Sequence, residues 1–399
     1  MKSGRLFMRL VPIAVLLASP AAFAIKIPTG SKDFDLNIST LIQARAALNW
    51  DGDAPSATGG AAPNTSLDTS YYLRRMRLIA SGAAYQHWTF YLMLDEPNFG
   101  IRGNYNIAAN PAFVQDAHIG YEFEPGTAIE AGWLYMPLSH LALNASSGTA
   151  SIEKNSVLLF YNNSRGLRET GMHFRSAFLD KKIYLRVGLF SGLHGLQGTD
   201  ATGPTAGVVN PGGRPLVAGM LRYSLVGSES GYSFPTQYLD GKTRVSVGAG
   251  AQYQIKGSNT PITTVNAAGA RNTTNTAVND FVAYSGDVFA DVALEGDQEL
   301  TAQLDFYRFD WGPGSDKTGY GATAEVAYRI GSINPEVNGH WFNSESKQAN
   351  YAKLAVGANY LFKGHQAKVG VEFWHFKQNV NWDASSWAHQ VLMQFQISL

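Results

Sequence analysis

The residues with the clearest chemistry are arginines in segments where polar and apolar residues alternate. Arg75 and Arg77 are two positions apart, so in an extended strand their side chains share one face, about 6.5–7 Å apart. A guanidinium stays charged and offers a fork of donors that matches oxyanions. The corresponding face of other segments carries Arg45, Arg175, Arg186, Arg222 and Arg244. The pattern predicts either a basic wall that attracts small anions or structural ion pairs with nearby carboxylates.

Acidic residues on the same face concentrate in a different part of the chain. Asp95, Asp116, Glu122 and Glu130 accompany the arginines, whereas Asp287, Asp291, Glu299, Asp305 and Glu325 follow one another in the second half. Basic and acidic walls on opposite sides of a pore would set a field across it and favour anions near the arginines. Arg74 has the opposite parity, which predicts a side chain that snorkels at a membrane interface.

Other chemistries find little support in the sequence. The chain has no cysteine, so disulfides, iron–sulfur clusters and thiolate zinc sites are excluded. The histidines lack metal-ligand spacing, and Ser139-His140 alone does not make a catalytic site. Basic and acidic residues are equal in number, 31 each, so nothing favours nucleic acid as a partner. We therefore expect no enzymatic activity, no bound metal and no cofactor.

The first 24 residues have the features of an export signal. Lys2, Arg5 and Arg9 precede a short apolar run, and Ala22-Phe23-Ala24 supplies small residues for cleavage. That run is too short to span the roughly 30 Å of a membrane as a helix. No later stretch reaches about 18 consecutive apolar residues. The mature chain, 25–399, is thus predicted to be either a soluble periplasmic protein or an outer-membrane barrel.

Hydrophobic periodicity favours the barrel. Residues 34–50 alternate between an apolar and a mostly polar face over 17 positions, longer than an average globular strand. Sixteen such segments are predicted, at 34–50, 71–83, 85–95, 113–123, 127–136, 170–179, 181–191, 214–225, 242–255, 280–294, 298–310, 319–330, 334–343, 349–362, 366–377 and 387–399. Short turns alternate with longer loops, as in an all-β transmembrane antiparallel barrel with short periplasmic turns. The exception, 226–241, is interpreted as an extended periplasmic turn or a miscounted strand.

Several motifs resemble one family of outer-membrane proteins. The motifs are Tyr72–Leu78, Ala131–Pro137, Arg168-Glu169-Thr170-Gly171, Asp180-Lys181-Lys182 and Val187–Gly192. In this order and spacing they resemble the phosphate-selective porin O and P family. The resemblance implies a sixteen-stranded barrel, a homotrimer, and a third loop, here 137–169, that folds inward. In this chain that loop supplies Lys154, Arg165 and Arg168 as constriction residues.

One departure from the family bears on the substrate. The segment after Gly132 carries interleaved lysines in that family, whereas here Trp133 and Tyr135 occupy those places. Loss of these cations predicts a general preference for anions rather than a dedicated phosphate site. The expected function is passive diffusion of small anionic solutes, phosphate or another oxyanion among them, across a lipid outer membrane. The alternative on the same architecture is a scaffold or sheath for a protein partner such as a cytochrome, or a surface adhesin.

Overall fold

The computed structural model describes residues 24–50, 68–101, 113–153, 156–161, 167–192, 199–200, 203–204, 214–265, 271–313, 315–347, 349–379 and 387–399. The predicted signal segment, 1–24, therefore lies outside the described residues apart from Ala24. Within the described residues, no helix is long and apolar enough to cross a membrane. Helical structure there includes a six-residue helix, α1 (Ser156–Tyr161), and a short 3-10 turn at Leu141–Leu143.

Sixteen strands of the described chain form one closed antiparallel sheet. Its first seven are β2 (Phe34–Trp50), β3 (Asp68–Ala84), β4 (Trp88–Phe99), β5 (Phe113–Glu124), β6 (Thr127–Tyr135), β7 (Arg168–Phe178) and β8 (Ile183–Phe190). The other nine are β11 (Leu216–Val226), β12 (Arg244–Val265), β13 (Arg271–Ala293), β14 (Gln298–Asp310), β15 (Gly319–Ile330), β16 (Ile333–Ser344), β17 (Asn350–Lys363), β18 (Ala367–Asn379) and β19 (Ala388–Ser398). Three short strands accompany them: β1 (Ile25–Ile27), β9 (Thr199–Asp200) and β10 (Gly203–Pro204).

The sheet closes where its last strand meets its first. β19 pairs with β2, from His389 opposite Trp50 to Ser398 opposite Leu41, and β8 pairs with β11 across the connection that contains β9 and β10. β1 lies beside residues 36–38 of β2, just past the end of β19, so that β1 continues the line of β19 along β2. β9 and β10 form a separate small hairpin.

The two faces of the barrel differ as the period-2 pattern predicts. Outward side chains are large and apolar, such as Leu189, Leu304 and Phe362, which is 67% exposed. Inward positions on the same strands carry buried polar and charged groups, including Gln252, Asp291 and Glu372. The alternation follows from the pleat, because successive side chains point to opposite sides of a strand. An apolar outer face with a polar interior is the arrangement of a transmembrane barrel.

All sixteen predicted strands are confirmed, most within a few residues of their expected ends. The largest difference is at β12 and β13, which continue to Val265 and resume at Arg271, where the sequence predicted a loop at 256–279. This segment contains several threonines, a residue type that is common in strands, and the predicted loop did not take this into account. Of the predicted loop 51–70, residues 51–67 lie outside the described part of the chain.

Two connections enter the interior from opposite rims. The loop between β6 and β7, residues 136–167, starts at the rim of long loops, and the segment between β11 and β12, residues 227–243, starts at the rim of short turns. Leu138, Leu143 and Phe234 from these connections are fully buried and belong to the main hydrophobic cluster. The exception in the loop pattern, 226–241, is therefore a long turn that folds into the barrel, and no strand was miscounted.

A glycine in β12 makes room for the loop. A Cβ atom built on Gly250 would lie 1.9 Å from the carbonyl oxygen of Leu138, far inside van der Waals contact. Gly286, on the outward face of the neighbouring strand β13, has only a backbone oxygen at 4.0 Å.

We predict that Gly250→Ala lowers the free energy of unfolding by about 1–3 kcal/mol, because the loop must move away from the wall. Urea unfolding of the purified barrel measures this change. Gly286→Ala serves as the matched control, since it makes the same substitution in a strand without that contact. Equal stability of the two variants would contradict the conclusion that Gly250 makes room for the loop.

Candidate functional site

The loop between β6 and β7 begins against β12, β13 and β14. The carbonyl oxygen of Pro137 accepts a hydrogen bond from Gln252 Nε2 (3.2 Å), and that of Leu138 accepts one from Ser285 Oγ (2.6 Å). Ser139 Oγ lies 3.0 Å from Tyr307 Oη. These contacts hold the first residues of the loop against the inner face of three neighbouring strands.

The same loop then reaches β17, β18 and β19, the strands that lead up to the closing seam. The carbonyl oxygen of Thr149 accepts from Lys368 Nζ (2.6 Å), that of Ala150 from Asn359 Nδ2 (2.7 Å), and that of Ser147 from Gln396 Nε2 (3.0 Å). Residues 137–153 thus contact the inner wall at widely separated strands. The lumen is crossed at this level by the chain itself.

The 227–243 segment joins the loop inside the barrel. Phe234 exchanges two backbone hydrogen bonds with it: its amide donates to Leu143 (3.1 Å), and its carbonyl accepts from Ala145 (3.0 Å). The Thr236 amide donates to Gly148 at 2.9 Å. Paired backbone of this kind satisfies the polar groups of both segments where water has little access. Together the two segments form one partition, which we call the inner partition (residues 137–153 and 229–237).

A buried charge network anchors the inner partition to β11 and β13. Glu229 accepts hydrogen bonds from His140 Nε2 (2.9 Å) and Ser246 Oγ (2.5 Å), and it lies 3.3 Å from Arg222 Nη2. Arg222 also pairs with Asp287. Burial alone would raise the pKa of the Glu229 carboxyl, but Arg222 and His140 outweigh it and hold that pKa far below its usual range. Glu229 is therefore ionised, and it binds the loop to the wall.

Three arginines converge on one carboxylate at the opposite side of the lumen. Glu153 Oε2 lies 2.7 Å from Arg45 Nη1 and 2.9 Å from Arg74 Nε, and Glu153 Oε1 lies 2.8 Å from Arg75 Nη2. Burial would raise the pKa of Glu153, but the three guanidinium groups hold it well below its usual range. We call Arg45, Arg74, Arg75 and Glu153 the arginine cluster.

The position of Arg74 corrects the sequence-based prediction. Strict alternation placed its side chain on the lipid face, but the register between β2 and β3 shifts so that Gln43 faces Arg75 while Ala44 faces Leu73. Arg74 is the extra residue of this β-bulge, which turns its guanidinium inward. It is the most exposed arginine of the cluster, with 18% of its side chain accessible.

Three further arginines from the predicted set are paired inside the barrel. Arg77 Nε donates to Asp95 Oδ2 (2.8 Å), and its Nη1 donates to Ser146 Oγ of the loop (2.6 Å). Arg175 Nε lies 3.0 Å from Glu130 Oε2. Arg222 belongs to the Glu229 network described above. Asp95 and Glu130 come from neighbouring strands, and Glu229 comes from the inner partition.

Arg168 was predicted on the loop, but the structure places it in the first position of β7. Its Nη2 lies 2.9 Å from Asp116 Oδ2, and its guanidinium stacks 3.5 Å from the ring centre of Tyr135. Tyr232 of the inner partition donates to the same aspartate at 2.8 Å. Tyr135 thus serves as a platform for an arginine.

Arg186 is completely buried, and the polar groups that receive its hydrogen bonds are uncharged. Its Nε donates to Tyr184 Oη (2.9 Å), and its Nη2 donates to the carbonyl oxygens of Gly231 (2.9 Å) and Tyr232 (2.8 Å). The arginine therefore fixes the 227–243 segment to β8. Its charge adds to the positive side of the lumen.

The acidic wall lies across β13 to β15. Asp287, Asp291, Glu299, Asp305 and Glu325 all point inward and are at most 8% exposed. Lys353 and Lys368, which the sequence reading did not single out, are buried on the nearby strands β17 and β18. The acidic side chains thus lie on a different part of the wall from most of the arginines, and two lysines lie beside them.

Sequence reasoning missed Glu153 and Glu229, the two carboxylates by which the inward connections pair with the arginines. Both lie in segments whose path through the lumen cannot be predicted from the local sequence pattern. Lys154 and Arg165, the other predicted constriction residues, lie outside the described residues. The described residues contain no group of three or more His, Cys, Asp or Glu side chains arranged to hold a metal ion.

Solved structures of porins share this architecture. The chain resembles OmpF of Salmonella typhi, solved with daunomycin, with a TM-score of 0.57 and 12% identity over 94% of this chain and 100% of that one. It is similar to an anion-selective porin from Comamonas acidovorans (TM-score 0.55, 10% identity, 92% and 100% covered). It also resembles the trimer form of OmpT, an outer-membrane protein of Vibrio cholerae (0.56, 10%, 92% and 100%). These similarities establish the fold of an outer-membrane barrel.

A search among curated protein sequences finds no match to the chain. The model of the family described as phosphate-selective porin O and P, however, matches residues 43–271, more than half of the chain. This range runs from the middle of β2 to the first residue of β13 and includes both segments of the inner partition. The protein is therefore a member of the phosphate-selective porin O and P family and a porin of the outer membrane.

Proposed function

We propose that this porin admits small solutes by passive diffusion and prefers anions, with phosphate or another small oxyanion among its solutes. The observation that carries the proposal is the arginine cluster. Three guanidinium groups share the single carboxylate of Glu153, and the adjacent Arg77 and Asp95 neutralise each other. The arginine cluster therefore has a net charge of +2 and lies at the level where residues 137–153 cross the lumen. Rings of basic residues at a narrow point favour anions.

The mechanism needs no energy source. A solute enters between the long loops, meets the field set by the basic and acidic walls, and passes the inner partition. Arg74 is the accessible member of the cluster, so it is the first candidate for direct contact with an anion. Arg45, Arg75, Arg77, Arg168, Arg175, Arg186 and Arg222 supply the field, while their hydrogen bonds hold the walls and the partition in place.

Two further features belong to this proposal. We propose that the chain is exported with cleavage after Ala24, because the short strand β1 starts directly afterwards at Ile25. We also propose a homotrimer, since a structurally similar barrel was solved in trimer form. A sheath around a protein partner is disfavoured, because the protein's own residues 137–153 and 229–237 occupy the middle of the lumen.

We predict that Arg74→Gln lowers the ratio of anion to cation permeability by at least about threefold at low salt. A unit charge about 7 Å from an ion in a water-like dielectric contributes about 0.6 kcal/mol. The zero-current potential in a planar bilayer under a KCl gradient measures the ratio. Arg244→Gln is the matched control, because Arg244 pairs with Asp240 at the exposed rim of short turns. If the two variants are equally selective, the cluster does not set the preference.

We predict that Glu153→Gln lowers the free energy of unfolding by about 3 kcal/mol, since it leaves three arginines without their shared carboxylate. The same variant should increase the preference for anions, because it removes a negative charge from the cluster. Urea unfolding and the zero-current potential measure the two effects. Reduced anion preference would contradict the proposed role of the cluster.

The contribution of Glu153 should also depend on pH in a defined way. Its pKa is depressed in the folded protein, so its stabilisation is complete above the unfolded-state pKa of about 4.3 and is lost as the pH falls toward the folded-state value. We predict that the stability difference between wild type and Glu153→Gln stays constant from pH 7 to about 5. It should shrink below about pH 4. A difference that vanishes already at pH 6 would refute the pairing.

We predict that Phe234→Ala raises single-channel conductance and lowers the free energy of unfolding by about 3–5 kcal/mol, because the ring is fully buried where the two segments of the inner partition meet. Conductance in planar bilayers and urea unfolding measure these effects. Phe362→Ala, a change on the outward face, is the control and should leave the conductance unchanged. Unaltered conductance in a folded Phe234→Ala protein would show that the partition does not limit flow.

A further inference from the structure

We propose that His375 and His389 form a binding site for a borderline transition-metal ion, with Zn²⁺ as the ion that best fits the geometry. The two histidines lie directly opposite each other on β18 and β19. Their Nδ1 atoms are 3.3 Å apart. Imidazole nitrogen is a preferred ligand of Zn²⁺, Cu²⁺ and Ni²⁺.

The distance between the nitrogens carries the argument. Zinc binds histidine nitrogen at about 2.0–2.1 Å in tetrahedral geometry, so two histidine ligands of one ion are about 3.3–3.4 Å apart. The observed separation of 3.3 Å matches this edge of the tetrahedron. The same separation fits a hydrogen bond between the rings. When the proton of that bond moves from Nδ1 to Nε2 of its ring, both Nδ1 atoms can bind one ion, with two coordination positions left for water.

Each ring is also held in its orientation by an aromatic neighbour. His375 stacks on Trp387 with 4.2 Å between ring centres and 11° between planes. His389 stacks on Phe373 at 5.8 Å and 21°. A ligand pair fixed in advance loses little conformational freedom on binding, and this favours affinity.

The histidine pair is accessible to an ion from outside the barrel. It also lies next to the seam where the barrel closes. Both side chains are half-buried on the outward face, near the ends of their strands at the rim of long loops. His389 also faces Trp50, the first pair along the seam between β19 and β2. A bound ion would tie β18 to the strand that closes the sheet.

The test is calorimetric titration of ZnCl₂ into the full-length mature barrel in detergent. We expect one ion per chain for wild type, and binding at least about tenfold weaker in His375→Ala and in His389→Ala, since even second-shell changes cost that much. His87→Ala is the matched control, because His87 lies in an exposed turn at the other rim and bonds to a carbonyl oxygen. It should bind zinc like wild type.

Two further measurements test the site even if one of the variants folds poorly. CuCl₂ added to wild type should give an electron paramagnetic resonance spectrum with two coupled nitrogens, and zinc should raise the unfolding temperature of wild type but of neither histidine variant. Zinc binding that survives in both folded variants would overturn the site. A copper spectrum with one nitrogen, or none, would show that the two rings share only a hydrogen bond.

Discussion

The structure depends on one constraint: every backbone donor and acceptor of a membrane-spanning sheet must find its partner within the sheet. The β19–β2 and β8–β11 pairings meet that constraint by closing the sheet on itself. Closure fixes which side of each strand faces lipid, and the pleat then sends every second side chain inward. The apolar outer face and the polar lumen are two results of the same hydrogen-bonded ring.

A lumen lined with charged side chains has a cost of its own. Ionised groups taken out of water are stable only when they are paired and hydrogen-bonded. The inner partition supplies many of those partners: Glu153 for the arginine cluster, Glu229 for Arg222, and the carbonyl oxygens of Gly231 and Tyr232 for Arg186. The arginines and the inward segments therefore stabilise each other.

The sequence predicts the strands well, because an apolar face of period 2 is a local property that the membrane enforces along the whole barrel. The bulge at Arg74 was missed because residues on either side of it still alternate between the two faces. One extra residue in β3 therefore leaves no mark in the local sequence pattern. The inward path of 227–243 was also missed, although its excess length was visible. A polar segment carries no local sign of which interior wall it will contact.

The site shows the same division between local and non-local information. Arginines could be identified from spacing, since parity on a strand decides that they face the lumen. Their partners could not, because Glu153 and Arg45 are 108 positions apart in the chain and meet only when the loop crosses the barrel. The resemblance to a family indicated an inward loop, but not which of its residues is the shared carboxylate.

The pairing of the arginines also limits how strongly the channel can hold a solute. A guanidinium already bonded to Glu153, Asp95 or Asp116 has few donors left for a passing anion. Its charge still acts at a distance, however, because the field of an excess charge does not require a free hydrogen bond. Such a wall attracts anions without binding them tightly, and this suits diffusion better than capture. Arg74 has the most accessible guanidinium of the cluster, so it can both attract a passing anion and contact it directly.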